Sequence, residues 1–191
     1  IEVKMKYAPK HTDKTMRILY ILLFGAALVL MTLPIKEGIP RTVIICLSIV
    51  SLVSAMYLIV RYELTTYTYI LNPKGNSYDF FVDKAVGKRG NYVCSYDIAS
   101  IVKVIPYEKD TREALKKEYQ NIFIYNYTHN TFTGKKQVIV FRNTPNYEAV
   151  ICELGSEMES FLNSVIELVK EQRKISYNTM LENAIKEDEE D

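Results

Sequence analysis

The 191-residue chain has no tryptophan, only two histidines and only three cysteines. Cys46, Cys94 and Cys152 lie far apart, so neither a disulfide framework nor a common zinc site is expected. Two histidines leave few general bases, and a nucleophile without a neighbouring base stays weak. The sequence has no glycine-rich phosphate loop, no H-E-x-x-H and no paired-carboxylate motif. An excess of one charge is missing too, because 24 basic residues face 23 acidic ones for a net charge of +1. A general nucleic-acid binder needs a basic excess on one face, so nucleic acid is not an expected partner. No cofactor or metal is implied, and the expectation is a protein that is not an enzyme.

Charge is also absent from two long stretches, ILYILLFGAALVLMTLPI at 18–35 and TVIICLSIVSLVSAMYLIV at 42–60. At the α-helical rise each spans roughly 27–29 Å, close to the ~30 Å hydrocarbon core of a bilayer. Both are apolar all round, whereas a helix on a soluble surface keeps a polar face. The rest of the chain is too small to bury two such helices on every side. A basic leader precedes the first stretch, as in a signal peptide. No A-x-A site closes it, however, and a second stretch follows at once, so it is read as a retained helix. The linker KEGIPR at 36–41, broken by Gly38 and Pro40, is short enough to make the pair an antiparallel hairpin.

Lys4, Lys6, Lys10, Lys14 and Arg17 precede the first stretch, and Arg61, Lys74, Lys84, Lys88 and Arg89 follow the second. The linker carries only Lys36 and Arg41. The positive-inside rule then gives a two-helix protein of the cell membrane with both termini cytoplasmic. Tyr20, Tyr57 and Tyr62 sit where interfacial aromatics are favoured. Gly25 and Ala26 in the first helix, with Ser48, Ser51 and Ala55 on one face of the second, are the expected hairpin-packing positions. Small residues let backbones approach, and serine hydroxyls bond across. No ionisable residue lies within either stretch, whereas a pump or proton relay needs one.

From Tyr62 onward the pattern changes to short apolar runs separated by turn residues. YELTTYTYIL (62–71), YDFFV (78–82), NYVCSY (91–96), IVKVIPY (101–107), NIFIYNY (121–127), KQVIVFR (136–142) and YEAVICEL (147–154) read as seven strands. The charged insertion EKDTREALKKEY (108–119) reads as a short surface helix, with Asp110 and Glu113 as a capping box. Ser156 and Glu159 form a second box, opening a helix whose apolar stripe is Met158, Phe161, Leu162, Val165, Leu168 and Val169. The polar segment 175–191 ends EDEED and reads as a disordered acidic tail.

Few residues here carry chemistry. His129 in THNTFTGKK reads as a solvated loop histidine, and the three cysteines read as small buried hydrophobes. Asn126-Tyr127-Thr128 matches a glycosylation sequon that a cytoplasmic strand never presents to the modifying enzymes. Tyr62, Tyr67, Tyr69, Tyr78, Tyr92 and Tyr96 read as packing residues, with an aromatic binding surface as the alternative. Lys84, Lys88 and Arg89 form the best basic cluster, a candidate lipid or partner contact. Beside a membrane, such cations attract anionic headgroups by about 1 kcal/mol each.

Seven strands and a closing helix follow the order of a pleckstrin-homology (PH)-like barrel. The chain resembles bacterial membrane proteins in which a transmembrane hairpin precedes a PH-like domain. The resemblance is carried by YELTTYTYIL directly after the second membrane helix, by NYVCSYDIASIVKV (91–104), and by VIVFRN through LGSEMESFLNSVIELV. The helical insertion at 108–119 departs from it. The resemblance implies a membrane α-hairpin plus an α+β soluble domain, a PH-like β-barrel of about seven strands with a C-terminal capping helix. The implied organisation is a basic N-terminal segment (1–17), the hairpin (18–60), the PH-like domain (62–174) and the tail (175–191). It further implies a non-enzymatic interaction module with two partners, the lipid bilayer and a membrane or cytoplasmic protein. A headgroup-binding or membrane-sensing module is the alternative.

Overall fold

The computed structural model describes residues 4–32, 41–75 and 77–190, with side chains through Tyr177. Helix α1 (Lys14–Thr32) and helix α2 (Arg41–Ile59) form the hairpin, and α2 ends in one wide π-type turn, Val60–Leu64. Most of the expected linker, 36–40, lies outside the described residues. Both helices are long and apolar enough to cross a membrane. Their apolar windows are only 6% and 11% buried, so protein does not cover their large side chains.

The helices meet through small residues. Ala27, Ser48 and Ala55 are buried between them. Ser48 Oγ donates to the Ala27 carbonyl at 3.0 Å, and Ser51 Oγ donates to the Leu23 carbonyl at 2.8 Å. Gly25 and Ala26 differ from expectation, because both are exposed. The inward row of α1 runs through Met16, Tyr20, Leu23 and Ala27 at alternating spacings of four and three. Gly25 lies about 200° around the helix from Ala27 and so faces away.

After the hairpin come β2 (Thr65–Lys74), β3 (Ser77–Val86), β4 (Arg89–Asp97) and β5 (Ile101–Pro106). Then follow α3 (Thr111–Glu118), β6 (Ile122–Asn126), β7 (Gln137–Asn143), β8 (Asn146–Cys152) and α4 (Ser156–Glu190). An eighth strand, β1 (Met5–Tyr7), comes from the N-terminal segment read above as a plain basic leader, and it pairs antiparallel with β2, Lys6 opposite Ile70. Three residues with a lysine in the middle are too short a run to show a period in sequence.

The eight strands form two four-stranded sheets, ordered β1-β2-β3-β4 and β5-β7-β8-β6. They do not close into a barrel, which corrects the barrel expectation to an open α+β arrangement. The departure lies in the insertion. α3 carries the chain across the outer face of the second sheet, so β6 lands at its far edge and runs parallel to β8. Leu115 of α3 is buried there against Val138, Val140, Ala149 and Ile151. Asp110 makes no side-chain cap. Instead Thr111 Oγ1 accepts from the Glu108 amide at 2.8 Å.

Strand alternation decides the main core. Thr65, Tyr67, Tyr69 and Leu71 of β2 are buried at every second position. Tyr67, Tyr69 and Leu71 meet Phe80 and Val82 of β3, Ile139 and Phe141 of β7, and Val150 and Cys152 of β8. Met158, Leu162, Val165 and Val169 of α4 cover that core at helical spacing. The helix continues through the segment read as a disordered tail, as far as Glu190. No glycine or proline follows Gly155 to stop it. At Gly155 a side chain is excluded by close approach, because a Cβ there would lie 2.6 Å from the Tyr7 ring. This contact seats the short β1 strand on the closing end of the core.

Candidate functional site

Two regions of the β domain stand out: the rim beside the helix ends, and a cleft along α4. The rim begins with Glu63. It sits at the end of α2 and accepts from Arg17 Nε at 2.9 Å and Tyr20 hydroxyl at 2.6 Å, both on α1. Those bonds hold the start of α1 beside the end of α2. From the same turn, Arg61 Nη2 donates to the Thr128 carbonyl at 3.1 Å, and its guanidinium lies 5.5 Å from the Tyr67 ring centre. The hairpin is thereby tied to the loop between β6 and β7.

That loop is held from several sides. Asp13, one residue before α1, is buried. Its carboxylate accepts from the backbone amides of Thr131, Phe132 (3.0 Å) and Thr133 (3.0 Å), and from the Thr133 hydroxyl at 2.6 Å. Burial alone raises this carboxyl, but the Thr133 hydroxyl and the three amides more than offset it and hold it below the ordinary aspartate value. Asn130 donates from its amide and its side chain to Glu153, at 2.7 and 2.9 Å, and accepts from the Thr12 amide at 2.8 Å. Thr131 donates to the Tyr62 hydroxyl at 2.8 Å.

His129 is buried in this joint rather than solvated, 3% exposed, with the His11 ring 4.9 Å away and edge-on. Burial first, then His11 and Arg61, lower its imidazole below 6.5, so it is neutral at pH 7. Nothing in sequence could reveal the pair, since the partners lie more than a hundred positions apart.

The structure does not gather the sequence-predicted cations into one exposed cluster. Lys88 lies in the two-residue turn between β3 and β4, and Arg89 opens β4; both are exposed. Lys84 is half-buried within β3, opposite Tyr67. The turn itself sits at the rim, because the Gly87 amide donates to the Leu64 carbonyl at 2.9 Å. Gly87 adopts φ 62°, a left-handed conformation that glycine reaches without strain. The six tyrosines divide: Tyr67 and Tyr69 are buried, Tyr62, Tyr78 and Tyr96 half-buried, and Tyr92 exposed.

The second region lies along α4. The strand order leaves β5 at an edge, and Ile101, Val102, Lys103 and Val104 face Asn163, Ile166, Glu167 and Lys170 across a cleft of about 240 Å³. A larger cavity of about 530 Å³ lies farther along the same helix, lined by Ala99, Val169, Arg173 and Ser176 among others. The bulge between Ile101 and Lys103 bends the start of β5 and leaves Val102 outside the ladder and exposed.

Among the described residues no group of three histidine, cysteine or acidic side chains is placed to hold a metal ion. Burial pushes the Cys94 thiol up to about 11 and the fully enclosed Cys152 higher still, so neither is a thiolate at neutral pH. Cys46 is exposed on the outer side of α2. No protein-family model, curated protein or solved structure matches this chain. The geometry above therefore carries the functional argument.

Proposed function

We propose that the chain is a non-enzymatic, membrane-anchored interaction module. A PH-like domain is held at the cytoplasmic face of the cell membrane by the hairpin, and it takes up an extended segment of a protein partner. The observation that carries this reading is the edge of β5, unpaired among the described residues and opening onto the cleft beside α4. An edge strand offers unpaired backbone groups, and a partner strand added there gains main-chain hydrogen bonds while its alternate side chains enter the cleft. The Cys94 and Cys152 thiols, raised by burial, are poor nucleophiles at neutral pH. The succession of strands β2–β8 followed by the C-terminal helix α4 supports the PH-like comparison. Lys10, Lys14, Arg17, Arg61, Lys88 and Arg89 all lie on the domain side of the hairpin, which supports a cytoplasmic orientation.

The test is photo-crosslinking in native membranes from a reactive side chain at Asn163. A defined partner crosslinks to the parent chain. Val102→Lys combined with Ile166→Glu abolishes that product while membrane insertion persists. Unchanged crosslinking in the double variant removes the cleft from consideration.

A second reading is favoured by the bond between Gly87 and Leu64, which supports headgroup contact by Lys88 and Arg89 at the bilayer surface. Lys88→Gln with Arg89→Gln then reduces the anionic lipid that co-purifies with the full chain. Equal lipid recovery argues against it.

A further inference from the structure

Phe132 is 68% exposed, the equal of the most exposed large hydrophobic residues in the β domain and hairpin. It does not stand on a loose tip. The backbone amides of Thr131, Phe132 and Thr133 are all bound by Asp13. The Thr12 and Thr133 hydroxyls meet at 2.6 Å, and Lys136 Nζ donates to the Thr131 carbonyl at 2.5 Å. Gly134 turns the chain back at φ 86°. A buried carboxylate and several hydrogen bonds thus fix the position of an apolar ring that touches little protein. In water this arrangement exposes a large apolar surface without return.

The position explains it. Asp13 directly precedes Lys14, the first residue of α1, and the uncharged run of α1 begins at Ile18. At helical rise, Asp13 stands about 7.5 Å outside that apolar start. The interfacial layer of a bilayer is roughly 5–8 Å deep on each side of the hydrocarbon. The backbone of Phe132, bonded to Asp13, therefore lies at headgroup level, within reach of the acyl boundary. Thr131 bonded to Tyr62 places the same loop beside the end of α2 as well. Lys135 and Lys136 follow directly, the residue types that favour an anionic surface.

We infer that the loop 131–134 is a third membrane contact of this protein, with Phe132 seated in the interfacial layer of the bilayer that α1 and α2 cross. The inference rests on the spanning reading of the hairpin and is independent of Lys88 and Arg89. It gives the clamp a purpose: Asp13 holds the loop at the depth where an aromatic ring is favoured.

The absence of tryptophan makes the test direct, because one introduced tryptophan is the sole emitter of its kind. Phe132→Trp, Leu22→Trp and Phe123→Trp are each placed in the full chain and reconstituted into vesicles. The vesicles contain phosphatidylcholine and phosphatidylglycerol brominated near the headgroup or deep in the chain. Leu22 lies on the outer face of α1, 64% exposed. Phe123 is 52% exposed and lies roughly 17 Å of extended strand before Thr128, so it serves as the water reference. Phe132→Trp is expected to emit to the blue of Phe123→Trp and to lose more intensity to shallow than to deep bromine. Leu22→Trp loses more to deep bromine. If Leu22→Trp is quenched while Phe132→Trp emits like Phe123→Trp, the loop contact is overturned and the hairpin reading stands. If Phe123→Trp is quenched equally, the whole domain lies on the surface and the loop has no special role. If Leu22→Trp is not quenched, the spanning reading falls and the loop contact with it.

Discussion

The hairpin and the β domain bury opposite kinds of residue. In the hairpin the small side chains lie inside, Ala27, Ser48 and Ala55, while Ile18, Leu22, Val50 and Val53 are more than half exposed. In the β domain the large ones lie inside: Tyr69, Phe80, Phe141 and Ile139 are wholly buried. The contrast accords with two helices long and apolar enough to cross a membrane. Large apolar residues turn inward where water surrounds them and outward where lipid does, and close packing with interhelical hydrogen bonds such as those of Ser48 and Ser51 is left to hold helices together in lipid. The boundary between the two rules falls at the wide turn 60–64, where Arg61, Tyr62 and Glu63 make polar bonds to both sides.

The largest effect that tests this contrast lies in the β core. Phe80 stacks between Tyr69 at 6.3 Å and Phe141 at 6.1 Å. Phe80→Ala is expected to cost about 3–5 kcal/mol, read as a lowered near-ultraviolet dichroism midpoint in mild detergent. A cost below the range of surface substitutions places the core elsewhere. In the hairpin the sensitive change runs the other way, from small to large. Ala55→Leu overpacks the helix contact by about 1–3 kcal/mol, measured as weakened helix association in mixed micelles. Gly25→Ala, with nothing within 4 Å of its new methyl group, raises helix stability by about 0.5–1 kcal/mol. The reverse ranking at these two positions would invert the hairpin face described here.

The boundary itself is sharpened by pH. His129 has a lowered value in the folded protein, so the unfolded chain binds more protons between that value and 6.5. Stability is therefore complete above about 6.5 and falls as the solution is acidified through that window. His129→Gln is expected to flatten this part of the pH–stability curve. A curve that keeps its slope assigns the effect to another group. Asp13 titrates lower and adds a later loss, because its depressed carboxyl contributes stability that is complete above its unfolded value and is lost as pH falls through its folded one.

Regions governed by local period were legible in sequence. The two uncharged runs are long enough to cross a bilayer, β2 alternates buried and less buried residues, and β7 and β8 each hold four consecutive buried residues. What was missed depends on distant partners. β1 is three residues long and exists because β2 supplies its hydrogen bonds and Gly155 leaves room for Tyr7. The parallel seat of β6 follows from where α3 lands, which the alternation in NIFIYNY does not encode. Gly25 and Ala26 drew attention for their size alone, but helical phase gives the contact to Ala27. At the rim, Asp13 bonds residues near position 132 and His129 meets His11, and such pairings leave no trace in composition or spacing. Lys88 and Arg89 at the β3–β4 turn were visible as charge. Their place beside Leu64 was not, because one backbone bond sets it.

The strand β1 precedes the hairpin and β2 follows it, and the two are neighbours in one sheet. The two-helix hairpin is therefore spliced into a sheet at both of its ends rather than hung from one. A single tether would let the domain swivel; two adjacent tethers remove that rotation and give the cleft beside α4 a fixed bearing relative to the hairpin. Any force that tilts or parts the helices is delivered to a ladder only three residues long, which makes β1 the first element to peel away.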